Sequence, residues 1–237
     1  MRKRALLICL LAAASVLLIL ALTHAQVPDP LTLNERASAS PTGQYVTVMP
    51  AGTEPTYPDL ETLTHLSTDI IIATAGGNVC KLSPDGSMIT TNYTVTVQEV
   101  LKGKLPVGGT VTVSLPGGKA VFPGVGQSGP PIAGDIKVKP TSAEVRTPWF
   151  KKMEAGKQYY LFLTGSGALQ QKYHVSYLET TGGPQGVFEL SGGVVKSNSG
   201  RLRDPIWQYH NMAVGTFKAT ILNAVVSEPT PYCAICP

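Results

Sequence analysis

The chain has 237 residues, 43% of them hydrophobic and only 14% charged, with 24 glycines, 19 prolines and a formal net charge of +4. A mean hydropathy of +0.10 excludes intrinsic disorder for most of its length, because disorder needs low hydrophobicity and high net charge. No Gly-X-Y or heptad period runs through it, which excludes collagen and coiled coil, and the glycine and proline content points to a turn-rich, mainly β domain with extensions.

The first elements concern export. Arg2, Lys3 and Arg4 precede an unbroken apolar run from Ala5 to Leu22, and Ala25 supplies the small residue that signal peptidase needs. Residues 1–25 read as a signal peptide cleaved after Ala25, giving a secreted or periplasmic protein. The alternative is an uncleaved anchor over residues 5–22, in which case the chain touches a membrane. Cys9, near the start of the run, is an apolar filler. Cleavage removes three of the 19 basic residues and none of the 15 acidic ones, so the mature chain carries +1. That field is too weak for a nucleic-acid groove, and none is expected. The densest basic stretch, Lys137, Lys139, Arg146, Lys151, Lys152 and Lys157, is diluted by Asp135, Glu144 and Glu154 and reads as a solvated face.

Residues 26–58 are rich in Pro, Ser, Thr and Gly and read as a flexible tether with at most one short strand at Tyr45–Met49. Leu60, Leu63 and Leu66 then recur behind Asp59, which predicts a short helix capped by that aspartate. Ile70–Ala73 starts a buried strand that reaches Val79–Leu82. Ser83-Pro84-Asp85-Gly86 is a turn, because Pro presets φ and Gly accepts the left-handed conformation. The chain returns through Tyr93–Gln98, whose alternation puts Tyr93, Val95 and Val97 on one face. A third strand follows at Val111–Leu115. From Pro116 to Pro148 the Gly and Pro density predicts a long loop with at most a short strand at Ile136–Val138. Lys157–Leu163 reads as a strand covered on both faces, followed by strands at Tyr173–Tyr177 and Val187–Leu190. A terminal helix within Met212–Val226 presents Phe217, Ile221 and Leu222, and residues 229–237 form a tail.

This order of pieces, with the phrases "STDIIIATAG", "EVLKGKLPVGG", "AGKQYYLFL" and "QGVFEL", resembles a broad group of extracytoplasmic bacterial β-barrel domains. More distantly it is similar to the OB-like barrels of the netrin-module and tissue-inhibitor-of-metalloproteinase type. The resemblance spans roughly 59–222 and implies an OB-like antiparallel β-barrel over 59–228, with a short helix before strand one and a C-terminal helix. In those inhibitors an N-terminal cysteine chelates the target's zinc. The expected mature start, Gln26-Val27-Pro28, has no cysteine, so the resemblance implies no such mechanism and carries over no functional residue.

Three cysteines remain after signal removal, Cys80, Cys233 and Cys236. Cys233 and Cys236 make a C-x-x-C between prolines, without the βαβ pattern of a redox domain. The readings are a vicinal bond within the pair, a bridge from Cys80 to either tail cysteine, metal ligation, thiol exchange, or free thiols. His65, His174 and His210 are not at ligand spacing and read as surface or capping residues. Gly124–Gly129 only approximates a nucleophile elbow, and Asn92-Tyr93-Thr94 is a glycosylation triplet inside a strand. No catalytic, metal or cofactor residue is nominated. The expectation is an exported, non-enzymatic binding module for a protein, peptide or glycan, contacting it through the 116–148 loop. The alternative is a thiol- or metal-dependent activity at Cys233 and Cys236.

Overall fold

The hydrophobic pattern predicts one sheet whose alternate residues point inward, and the computed structural model builds that sheet into a barrel. It describes residues 31–49, 56–122, 140–165, 177–200 and 204–228. The elements are α1 (Leu33–Ala39), β1 (Gln44–Val48), α2 (Leu60–Leu66), β2 (Asp69–Leu82), β3 (Ile89–Lys102), β4 (Thr110–Pro116) and β5 (Gly118–Phe122). They continue with β6 (Thr141–Arg146), β7 (Gln158–Gly165), β8 (Leu178–Thr180), β9 (Val187–Ser191), β10 (Val194–Ser197) and α3 (Val214–Val226). One-turn 3-10 helices occupy Gly183–Gly186 and Pro205–Tyr209.

Five strands close in the order β2-β3-β4-β8-β7 and back to β2, an OB-like ring. Four of its seams are antiparallel, as expected of the barrel, and the fifth is a short parallel pairing, Val113 with Leu178 and Ser114 with Glu179. The fold of strand order explains it, since β8 must run against β7 and so enters beside β4 in the same sense. The second half of β7 pairs with β8, whereas its first half pairs with β9, and β10 extends that edge outside the ring.

The barrel interior holds Ile71, Ala73, Tyr93, Val95, Val97, Val113, Leu115, Tyr159, Leu161 and Leu163. A second layer lies outside β7, where Tyr160 and Phe162 meet Phe188, Leu60 and Leu63 of α2, and Phe217 and Ile221 of α3. Alternate residues of β7 therefore face two different cores, which accounts for its continuously apolar sequence. Asp59 caps α2 as expected, its carboxylate accepting from the Thr62 N–H at 2.7 Å. At the other end Lys102 Nζ donates to the Thr64 and His65 carbonyls at 2.8 and 3.1 Å, placing a cation where the helix dipole is negative. In α3 the third buried position is Ala224, and Leu222, expected in the core, is exposed.

Two further departures concern the extensions. The 26–58 stretch, read as a tether, contains α1 as well as the expected strand. Thr32 and Glu35 form a capping box, with Glu35 N donating to Thr32 Oγ1 at 3.2 Å and Thr32 N to Glu35 Oε2 at 2.7 Å. The 116–148 stretch, read as a loop, contains β5 and β6, which with β1 make a second sheet ordered β1-β6-β5. Its inner face, with Ala143, Val145, Ala120 and Phe122, packs with Leu33, Ile89, Leu82 and Cys80 near the tip of the β2–β3 hairpin. Gly118 makes the entry to β5 feasible. It sits at φ +135°, and a Cβ there would lie 2.7 Å from both Cys80 Sγ and Thr91 Oγ1. The expected strands at Ile136–Val138 and Tyr173–Tyr177 fall outside the described residues apart from Tyr177.

Candidate functional site

Where β4 and β8 close the ring, the second sheet and α2 leave an open cleft of about 490 Å³. Strand register builds its floor. Thr164 of β7 lies opposite Glu179 of β8, Glu179 opposite Ser114 of β4, and Ser114 opposite Asn92 of β3. Because Leu163, Val113 and Leu115 point into the barrel, this row lies on its outer face. Met49, Leu66, Met88 and Tyr57 line the walls. Ser114 Oγ donates to Asn92 Oδ1 at 2.8 Å, and Thr90 Oγ1 donates to the same oxygen at 3.3 Å. The Asn92 amide is thus buried within the sheet, which removes it as a glycan acceptor in the folded chain.

Among the described residues Glu179 is the one formally charged residue lining the cleft. It is half-buried, and among the described residues its carboxylate has no hydrogen-bond or ion-pair partner. Burial pushes its carboxyl above the usual range. In the sequence Glu179 is a lone acid between strands of a charge-poor chain, with no motif around it, and its place in the cleft comes from a long-range pairing with β4.

The sequence candidates lie elsewhere. Cys80 is half-buried on β2 with no disulfide, its Sγ 3.5 Å from Thr91 Oγ1. Cys233, Cys236, His174 and Gly124–Gly129 lie outside the described residues. His65 sits on α2 with its Nε2 3.9 Å from Glu61 Oε1 and 3.5 Å from Ser227 Oγ. His210, expected as a surface or capping residue, caps the C-terminus of the Pro205–Tyr209 helix, stacks on Trp207 at 4.3 Å between ring centroids and has a buried Nδ1 without a partner among the described residues. Burial, and secondarily Lys196, hold its pKa below the ordinary imidazole value. Among the described residues no three of His, Cys, Asp and Glu come together as a metal site.

Two polar networks are structural. Gln185 Nε2 donates to Asp204 Oδ1 at 2.6 Å, Ser199 Oγ donates to Asp204 Oδ2, and Gln185 also holds the Tyr57 backbone, fastening both 3-10 helices. Glu189 is 4% exposed and takes Lys151 Nζ at 2.6 Å and Lys157 Nζ at 3.0 Å. Glu144 likewise occupies Arg146, at 2.9 Å. Much of the basic stretch therefore pairs with carboxylates. A smaller hollow of about 230 Å³ beside the second sheet is lined by these already paired Glu144 and Arg146 groups with Lys119 and Lys152.

No protein-family model matches the chain, and no curated protein shows significant similarity to it. Among the described residues no helix is long and apolar enough to cross a membrane.

Proposed function

We propose that the chain is an exported, non-enzymatic binding module, and that its contact surface is the cleft at the β4–β8 seam. The observation that carries this reading is the cleft itself: an opening of about 490 Å³ with methionine, leucine and tyrosine walls, threonine and serine hydroxyls along its floor and, among the described residues, one unpaired carboxylate. Apolar walls with few polar groups are the usual make-up of a ligand site, and OB-like barrels use their loops and sheet face to hold ligands. The placement differs from a contact through the whole 116–148 segment, because Ala143 and Val145 of that segment belong to a core. Export rests on the basic start, apolar run and small residue of 1–25, and the mature protein begins at Gln26.

The methionine methyl groups provide the test. Met49 and Met88 line the cleft, whereas Met153 lies with the barrel core and Met212 packs in the outer layer. In a fragment screen on methyl-labelled mature protein, binders shift Met49 and Met88 and leave Met153 and Met212 unmoved. Saturable binding that bypasses Met49 and Met88 overturns the placement.

A further inference from the structure

Resting on the reading of the seam cleft as the contact surface, we infer that its ligand carries a cationic head, a guanidinium or ammonium, on an apolar stem, and that Glu179 receives the head. Three observations lead there. First, the only formal charge lining the cleft among the described residues is negative, and β4, β7 and the Gly183–Gly186 turn around β8 carry no charged residue. The other titratable groups lining it are Tyr57 and Tyr177. Second, a half-buried carboxylate without a partner carries a desolvation cost that an arriving cation offsets. Third, Met49, Met88 and Leu66 provide apolar surface beside the acid, which suits the methylene stem that such heads carry.

The alternatives fit less well. A calcium ion needs six to eight oxygen ligands, whereas here one carboxylate stands alone and the nearby Ser114 hydroxyl donates to Asn92. Of the hydroxyls that line the cleft, those of Thr90 and Ser114 are given to Asn92 and that of Thr181 accepts from Ser67, which leaves a sugar mainly Thr164 and Thr180 among the described residues. A guanidinium is weakly hydrated and can take both carboxylate oxygens, so it is the better matched of the two heads. The same chemistry comes from a free small cation or from an arginine side chain of a peptide.

Titration calorimetry on the mature chain tests this with butylguanidinium, its neutral shape-match N-butylurea, and the peptide acetyl-Ala-Arg-Ala-amide. Both cations are expected to bind at least about tenfold more tightly than the urea, as a charge-assisted hydrogen bond implies. Glu179→Gln removes that preference and leaves the urea unchanged. In the wild type, cation affinity rises with pH as Glu179 ionises, and in E179Q it stays flat. A peptide that binds more tightly than butylguanidinium identifies a polypeptide source, and equal binding a small-molecule source. Equal binding of urea and guanidinium overturns the cation inference while the cleft reading survives. Cation binding that persists in E179Q also overturns it, and no saturable binding by any probe overturns both.

Discussion

Two glutamates in this barrel answer to burial in opposite ways. Glu189 is the more buried, and burial alone would raise its pKa, but hydrogen bonds from Lys151 and Lys157 outweigh that and leave it below the ordinary carboxylate value. Its stabilising contribution is therefore complete above the unfolded pKa and is lost as pH falls through the depressed folded value. E189Q lowers stability at neutral pH by on the order of 1–3 kcal/mol, and the gap from wild type closes in acid, as urea melts at several pH values will show. Glu179 has no such partner among the described residues, and burial raises its folded pKa. Between the unfolded and folded values the native state holds the extra proton, and stability falls as pH rises across that window. E179Q should thus melt higher than wild type at neutral pH, the reverse of E189Q. Gly103, in the "EVLKG" phrase, shows another residue-level demand. It lies at φ +96°, and a Cβ would come 2.0 Å from Asp69 Oδ1, the oxygen that accepts from Lys104 N. Gly103→Ala is expected to cost roughly 1–3 kcal/mol, read from denaturant midpoints.

At the scale of elements, α3 centres its packing on one ring, beside the buried Ile221 and Ala224 and the Lys218 Nζ that donates to Glu99 Oε1 of β3 at 2.6 Å. Phe217 meets Phe188 at 4.7 Å, Tyr160 at 5.0 Å, Tyr209 at 6.2 Å and Phe162 at 6.4 Å between centroids. Phe217→Ala removes the centre of this group and costs about 3–5 kcal/mol, whereas Leu222→Ala, at a residue 41% exposed, changes stability by less than about 0.5 kcal/mol in the same denaturant series. Helical spacing alone put both residues in the core. The sequence made Phe217 and Ile221 legible through their i, i+4 spacing, but a third apolar residue can fall on either side of the buried stripe. The same limit applied to α1. Its seven residues bury only Leu33 and Ala37, too few for a period, and its clearest sign was the Thr32-Glu35 capping box.

For the whole molecule, the local hairpin was readable and the closure was not. Ser83–Gly86 and the alternation of Tyr93, Val95 and Val97 gave β2 and β3, and the apolar run of Tyr159–Leu163 gave β7. The parallel β4–β8 seam joins residues more than sixty positions apart, and two residue pairs leave no periodic trace. The 116–148 segment was obscured in another way. Gly117 and Gly118 look like loop residues, yet they turn β4 directly into β5, and the resulting sheet forms one flank of the hairpin tip. The candidate site depends on that closure, which brings Glu179 beside Ser114 and Thr164, and it follows from topology more than from any motif. The most direct test is carbon-detected NMR titration of the Glu179 side-chain carboxyl, without ligand and with butylguanidinium. The predicted result is a midpoint above the ordinary glutamate value in the free protein, lowered when the cation is added and unmoved by N-butylurea. An ordinary midpoint that ignores the cation would contradict the account.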